Sequence, residues 1–148
     1  MPESAAHYKK ETRIERILNR AFGFAVRLGI GPSYNYLLEV RGRKSGRVYV
    51  TPVNLIEVGG RRYLVASRGE TAWARNARAA GAVTLRKGSK ADLHSVRELP
   101  ATERPPVLKA FVDRYAAQVQ RFHSVPKGSP VEAFVATASL HPVFELIK

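Results

Sequence analysis

Seven consecutive residues, Arg41-Gly42-Arg43-Lys44-Ser45-Gly46-Arg47, combine four cations, two glycines and a hydroxyl. Glycine lets the backbone aim its N–H groups at one point, the serine adds a donor, and the cations supply the field, so the set has the chemistry of a phosphate seat. A solvated basic turn has the same composition, and residue types alone leave both readings open. Two commoner nucleotide sites are excluded by spacing. No GxxxxGK[ST] precedes a helix and no GxGxxG occurs, so neither P-loop hydrolysis nor Rossmann binding is expected.

A second group follows at Ala66-Ser67-Arg68-Gly69, with Trp73 and Asn76 close behind. A serine at a strand end offers a hydrogen bond to a ring carbonyl, Arg68 adds positive charge, and the Asn76 amide both donates and accepts, as the edge of a flavin-like ring requires. The plainer reading makes Ser67 a strand terminus, Trp73 a core residue and Asn76 a helix decoration; for Trp73 taken alone, the core is the better account.

Other chemistry is poorly represented. With no cysteine there is no thiolate nucleophile, redox pair, zinc knuckle or disulfide, which fits a reducing compartment. His7, His94, His123 and His141 are scattered without metal-ligand spacing, and neither a catalytic triad nor paired carboxylates can be discerned. A reaction carried by a bound cofactor would need few titrating side chains.

The elements that must position these residues change period along the chain. Residues 10–28 place Ile14, Ile17, Leu18, Ala21, Phe22, Ala25 and Val26 at helical spacing among Lys10, Arg13, Arg16, Arg20 and Arg27, an amphipathic basic helix closed by Gly29, Gly31 and Pro32. Runs rich in β-branched and aromatic residues follow at Tyr36–Val40, Val48–Val58 and Arg62–Ser67, the last two joined by Gly59-Gly60, a hairpin signal. Pro52 has no N–H to give to a ladder, so its strand belongs at an edge or a bulge.

A short helix over 71–80, strands at Ala82–Leu85 and Ala91–Glu98 about a Lys87-Gly88-Ser89 turn, and a helix after Pro105-Pro106 burying Val107, Leu108, Phe111, Val112 and Tyr115 come next. Pro142–Leu146 forms a closing strand. Within 121–142, FHSVPKGSP reads as loop and VEAFVATASL is compatible with a helix. Strands joined by short turns, with helices at the flanks, predict an α+β fold with a mostly antiparallel sheet curled into a barrel, in one domain spanning residues 1–148.

Lys and Arg total 25 against 12 acidic residues, for a net charge of +13 and a pI near 10.6, a field that attracts phosphates, carboxylates, nucleic acid or anionic lipid. Aromatics that would stack bases are not interleaved with the basic residues but stand at core spacing, so a nucleic-acid module is the weaker reading. The N-terminus lacks the apolar run of a signal peptide, and no stretch reaches the roughly 20 apolar residues that span a bilayer. The expected location is the cytoplasm.

The segment GRKSGRVYVTPVNLIEVGGRRYLVASRGETAWARNARAAGAVTLRKG resembles the deazaflavin-dependent nitroreductase family of actinobacterial split-barrel proteins, in which a GRKSG turn, a VAS strand end and a W..N helix recur in this order. His141-Pro142-Val143-Phe144-Glu145-Leu146 is similar to that family's closing strand, and the likeness is firm from Leu37 to Gly88. It implies a split β-barrel with an N-terminal helix and the cofactor coenzyme F-420, a deazaflavin with a phosphate and a glutamate tail; FMN is a second choice. It implies that Arg43, Lys44, Ser45 and Gly46 hold the tail, with Arg41 and Arg47 adding field. Val65, Ala66, Ser67 and Arg68 would pass along the ring, and Trp73 and Asn76 would close the site.

The implied activity is hydride transfer to a quinone, enone or other activated small-molecule acceptor, with Ser67 or Tyr115 as candidates beside the reacting atoms. Tyr115 matches a tyrosine of the family's acceptor pocket, although an amphipathic core residue is the plainer account of it. Gln118 and Arg121 stand where further aromatics are expected, so the acceptor pocket departs from the nitroreductase pattern. A non-catalytic carrier of F-420 or FMN is the alternative. A homodimer and a peripheral membrane contact through the basic N-terminal helix are also open, with packing of that helix on the barrel preferred.

Overall fold

The computed structural model describes residues 35–148. The amphipathic helix expected over 10–28, and with it the membrane contact, lies outside the described residues. In chain order the elements are β1 (Asn35–Arg41), β2 (Val48–Asn54), β3 (Ile56–Val58), β4 (Arg61–Val65), α1 (Ala72–Ala80), β5 (Ala82–Lys87), β6 (Lys90–Glu98), α2 (Pro105–Val119) and β7 (Val143–Ile147). Single 3₁₀ turns occur at Ala101–Glu103, Gln120–Phe122, Val131–Phe134 and Ala138–Leu140. The chain divides into two compact units, described separately: a turn unit whose described residues are 35–55, 72–97 and 146–148, and a helical unit of 56–71 and 98–145.

In the turn unit, β1 runs antiparallel to both β2 and β5, and β5 forms a hairpin with β6, giving the order β2-β1-β5-β6. Leu37, Leu38 and Val40 of β1 and Val83 and Leu85 of β5 are buried, and α1 lies over these two strands. β5 shows the period of two that a half-buried strand imposes, Thr84 and Arg86 being partly exposed. The Arg86 side chain turns this to use, its Nε meeting Glu39 Oε2 across the β1–β5 pair at 2.6 Å. β2 stands at the end of the order, so Pro52, opposite Leu37, lacks its N–H where no further strand in this unit needs it. Gly81 ends α1: its φ of +74° is the left-handed cap conformation, and its N–H reaches Ala77 O at 2.8 Å.

In the helical unit, Gly59 and Gly60 both take positive φ and close the β3–β4 hairpin, the conformation that suits the strand twist and that side chains resist. β4 pairs antiparallel with β7, Leu64 opposite Phe144 and Val65 opposite Val143. Pro105 and Pro106 occupy the first turn of α2, where a missing N–H costs nothing. Behind them Val107, Leu108, Phe111, Val112, Tyr115 and Val119 are buried at helical spacing, and truncating Phe111 would cost about 3–5 kcal/mol.

Every strand pair described is antiparallel and the class is α+β, as expected. Two local expectations differ. The run Val48–Val58 is two strands broken at buried Leu55, because β2 pairs with β1 and β3 with β4, a change of partner to which alternation is blind. VEAFVATASL forms two 3₁₀ turns rather than an α-helix; Val131, Val135 and Thr137 are β-branched, and Phe134 and Ala138 satisfy the core from short turns. No described helix is long and apolar enough to cross a membrane.

Candidate functional site

Arg41 is paired with Val48, so residues 42–47 must reverse the chain between β1 and β2. The Gly42 N–H donates to Arg47 O at 2.6 Å and the Gly46 N–H to Gly42 O at 3.1 Å. A Cβ at Gly42 would stand 2.6 Å from Tyr49 Cε2 and 3.1 Å from Ser45 Oγ, and Gly46 has φ +76°, so both glycines are set by the turn itself. Ser45 Oγ accepts the Arg47 N–H at 3.2 Å and lies 3.3 Å from the Tyr49 hydroxyl.

The four cations divide by role. Arg41 Nη1 donates to Gly46 O at 3.0 Å, which braces the turn. Arg43 donates twice to Asn76 Oδ1, from its backbone N at 3.1 Å and from Nη1 at 2.8 Å. Lys44 and Arg47 are exposed, and among the described residues their side chains have no hydrogen bond or ion pair. Asn76 itself is buried at 4% exposure on α1. Both lone pairs of its oxygen are taken by Arg43, which leaves the NH₂ as the part able to meet a ligand. Trp73, on the same helix, is half-buried rather than a core residue.

In the helical unit the chain leaves β4 at Val65. Ala66 N–H donates to Pro142 O at 2.9 Å, and Gly69, at φ +99°, folds its N–H back to Ala66 O at 3.1 Å, so Ser67 sits in a turn two residues beyond the strand expected to end at it. Its Oγ is 2.8 Å from His123 Nε2, and its carbonyl oxygen is 3.0 Å from His141 Nδ1. A carbonyl can only accept, so His141 carries a proton on Nδ1. The two imidazoles are stacked, with centroids 4.2 Å apart and planes tilted by 32°. Ser67, His123 and His141 are all buried, at 9%, 6% and 1% exposure.

Sequence reasoning missed this cluster, having read the histidines as scattered, because 56 and 74 residues separate Ser67 from its two partners. Only the His141-Pro142 start of the closing strand hinted at it. Beside the cluster, the Arg68 and Arg121 guanidiniums each stand 4.6 Å from the centre of the Phe122 ring, within cation–π range. Tyr115 is buried at 4% exposure where α2 breaks, at φ −114° and ψ 23°, and its ring lies 5.0 Å from that of Phe111. Among the described residues no group of histidines and carboxylates is placed to hold a metal ion.

The antiparallel strands with flanking helices are an α+β arrangement that this chain shares with solved structures, one of them a deazaflavin-dependent reductase. A solved F420-H2 dependent reductase matches at 26% identity over 77% of this chain and 94% of its own, with a TM-score of 0.52. A structure described as a domain-swapped dimer matches at 25% identity over 90% and 93%, with a TM-score of 0.55. A NimC/NimA family protein from Clostridium acetobutylicum, 13% identical over 86% and 79% with a TM-score of 0.52, shares the fold alone. Among curated proteins no match is found.

The family model of the F420H2-dependent quinone reductases matches residues 10–134, and the chain belongs to that family. It is accordingly an oxidoreductase that uses reduced coenzyme F-420. The residues present fit an anionic group: Arg41 and Arg43 are hydrogen-bonded within the turn and to Asn76, and Lys44 and Arg47 are exposed cations of the same turn.

Proposed function

We propose that the turn over 41–47 seats the phosphate-bearing tail of the coenzyme, and that Ser67 serves the oxygen of a quinone-like acceptor. One observation carries the first part: two cations stand exposed on a turn whose other two are committed to holding its shape. In its reduced form the bound deazaflavin supplies a hydride to the acceptor.

The chain's share is orientation, exclusion of water and charge stabilisation. Gly42 and Gly46 keep the turn tight, Lys44 and Arg47 attract the tail, and the Asn76 NH₂ offers a hydrogen bond from the helix. Val65 and Ala66, both buried, form an apolar wall that keeps water from the reacting atoms. Ser67 donates toward the oxygen on which negative charge develops, with Arg68 adding a positive field. Tyr115 lines the acceptor side as a packed ring, its hydroxyl needing no part in proton transfer.

A homodimer is proposed along β2, where Val48, Tyr49 and Val50 are 55%, 49% and 45% exposed, in keeping with the domain-swapped dimer among the structural relatives; sedimentation of the full chain tests it.

The coenzyme reading is tested by titrating the purified protein with oxidised coenzyme and following deazaflavin fluorescence. Quenching at micromolar concentration is expected, with Lys44→Ala and Arg47→Ala each weakening affinity roughly five- to tenfold, as loss of about 1 kcal/mol per exposed charge implies. No quenching, or no oxidation of the reduced coenzyme by a naphthoquinone, would remove the reading.

A further inference from the structure

A serine hydroxyl has one proton and two lone pairs, and where that proton points depends on what already occupies the oxygen. At Ser67 the surroundings are unusually determined. The main chain is held by His141, whose Nδ1–H donates to the Ser67 carbonyl, and the hydroxyl lies 2.8 Å from His123 Nε2. His123 is itself fixed through its loop: Gln120 Nε2 donates to the carbonyls of His123 and Val125 at 3.1 and 2.9 Å, and Gln120 Oε1 accepts the Lys127 N–H at 2.9 Å. Stacking on His141 sets the plane of the His123 ring.

We propose that His123 donates from Nε2 to Ser67 Oγ and so aims the serine proton away from itself, as a hydrogen-bond donor to the carbonyl oxygen of the acceptor. The inference rests on the reading that Ser67 faces the acceptor. Hydride from a C–H bond of the reduced coenzyme, which would thereby be oxidised, would form a C–H bond at a carbon conjugated with the acceptor carbonyl; the C=O π pair would move to oxygen, and that anion would take its proton from solvent as the product leaves. A hydroxyl whose oxygen already accepts from an imidazole is the stronger donor to that anion. Ser67 is then the catalytic residue and His123 a positioning residue acting through it.

Two readouts test this. In ¹⁵N-histidine NMR of the unliganded protein, the His123 Nε2 resonance should be of the protonated type; a bare Nε2 overturns the proposal. In kinetics with reduced coenzyme and a naphthoquinone, Ser67→Ala and His123→Phe should each lower kcat roughly ten- to hundredfold, with coenzyme affinity by fluorescence within about threefold of the wild type. The double variant should be no slower than the slower single one.

His123→Gln, which keeps an N–H donor and serves as the second variant should His123→Phe not fold, should recover most of kcat. Additive losses, or a His123→Phe or His123→Gln kcat pattern indifferent to the donor, overturn the histidine role. A wild-type protein that neither binds nor oxidises the coenzyme overturns the coenzyme reading, and this inference with it; normal wild-type turnover with an unimpaired His123→Phe overturns this inference alone.

Discussion

At Asn76 one buried oxygen closes two hydrogen bonds of Arg43, and the consequences for stability and for binding are separable. Asn76→Leu leaves the Arg43 N–H without its acceptor and should lower stability by about 1–3 kcal/mol in urea unfolding. Asn76→Asp keeps an acceptor for both donors, so its thermal midpoint should match or exceed the wild type. It also brings negative charge to the proposed seat of the coenzyme tail, and coenzyme affinity should fall roughly tenfold or more by fluorescence titration. A charged variant that bound the coenzyme as well as the wild type would separate Asn76 from the tail site. The sequence presents Arg41, Arg43, Lys44 and Arg47 as equals; all four are exposed, and the fold commits Arg41 and Arg43 to hydrogen bonds that brace the turn.

Among the elements, the connections after β6 and α2 depend on side chains that reach backbone. Arg104, at 9% exposure, donates from Nε to Leu99 O at 2.9 Å and from Nη1 to Ala138 O at 3.0 Å, and pairs with Glu98 at 3.3 Å. Lysine cannot reproduce that fork, so Arg104→Lys should cost roughly 2–4 kcal/mol in denaturant unfolding. Asp113 on α2 accepts the Gly128 N–H at 2.8 Å and the Lys109 ammonium at 2.9 Å, which ties the 126–130 loop to the helix.

The Gly128 hydrogen bond first, and then Lys109, hold the Asp113 carboxyl below its ordinary range. A carboxyl depressed in the folded state contributes stability that is complete above its unfolded pKa of about 3.9 and is lost as pH falls through the folded value. The stability difference between wild type and Asp113→Asn should therefore be constant near neutrality and shrink below about pH 4, as urea midpoints across pH would show. The longer clasps, Arg104 to Ala138 and Asp113 to Gly128, join residues 34 and 15 positions apart, and no local pattern announces them.

For the whole molecule the governing quantity is the net charge of +13. Self-repulsion opposes the compact state and the same field draws the anionic coenzyme, so added salt should act on the two in opposite directions. Between about 20 and 500 mM KCl, where the screening length falls from roughly 20 Å to 4 Å, the thermal midpoint should rise while the coenzyme dissociation constant increases several-fold. Affinity unchanged by salt would mean that the basic turn does not seat the tail.

The α+β class, the Gly59-Gly60 hairpin, the prolines opening α2, the edge position of Pro52 and the turn at 41–47 could all be read in the sequence, because each follows from bond geometry or alternation within a few residues. The resemblance carried by the segment from Leu37 to Gly88 likewise needed only order and spacing. What tertiary structure decided were the meetings between distant residues: Asn76 with Arg43, and His123 and His141 with Ser67. A side chain's hydrogen-bond partner is chosen by proximity in space, and linear spacing holds no record of that once the chain has turned back on itself.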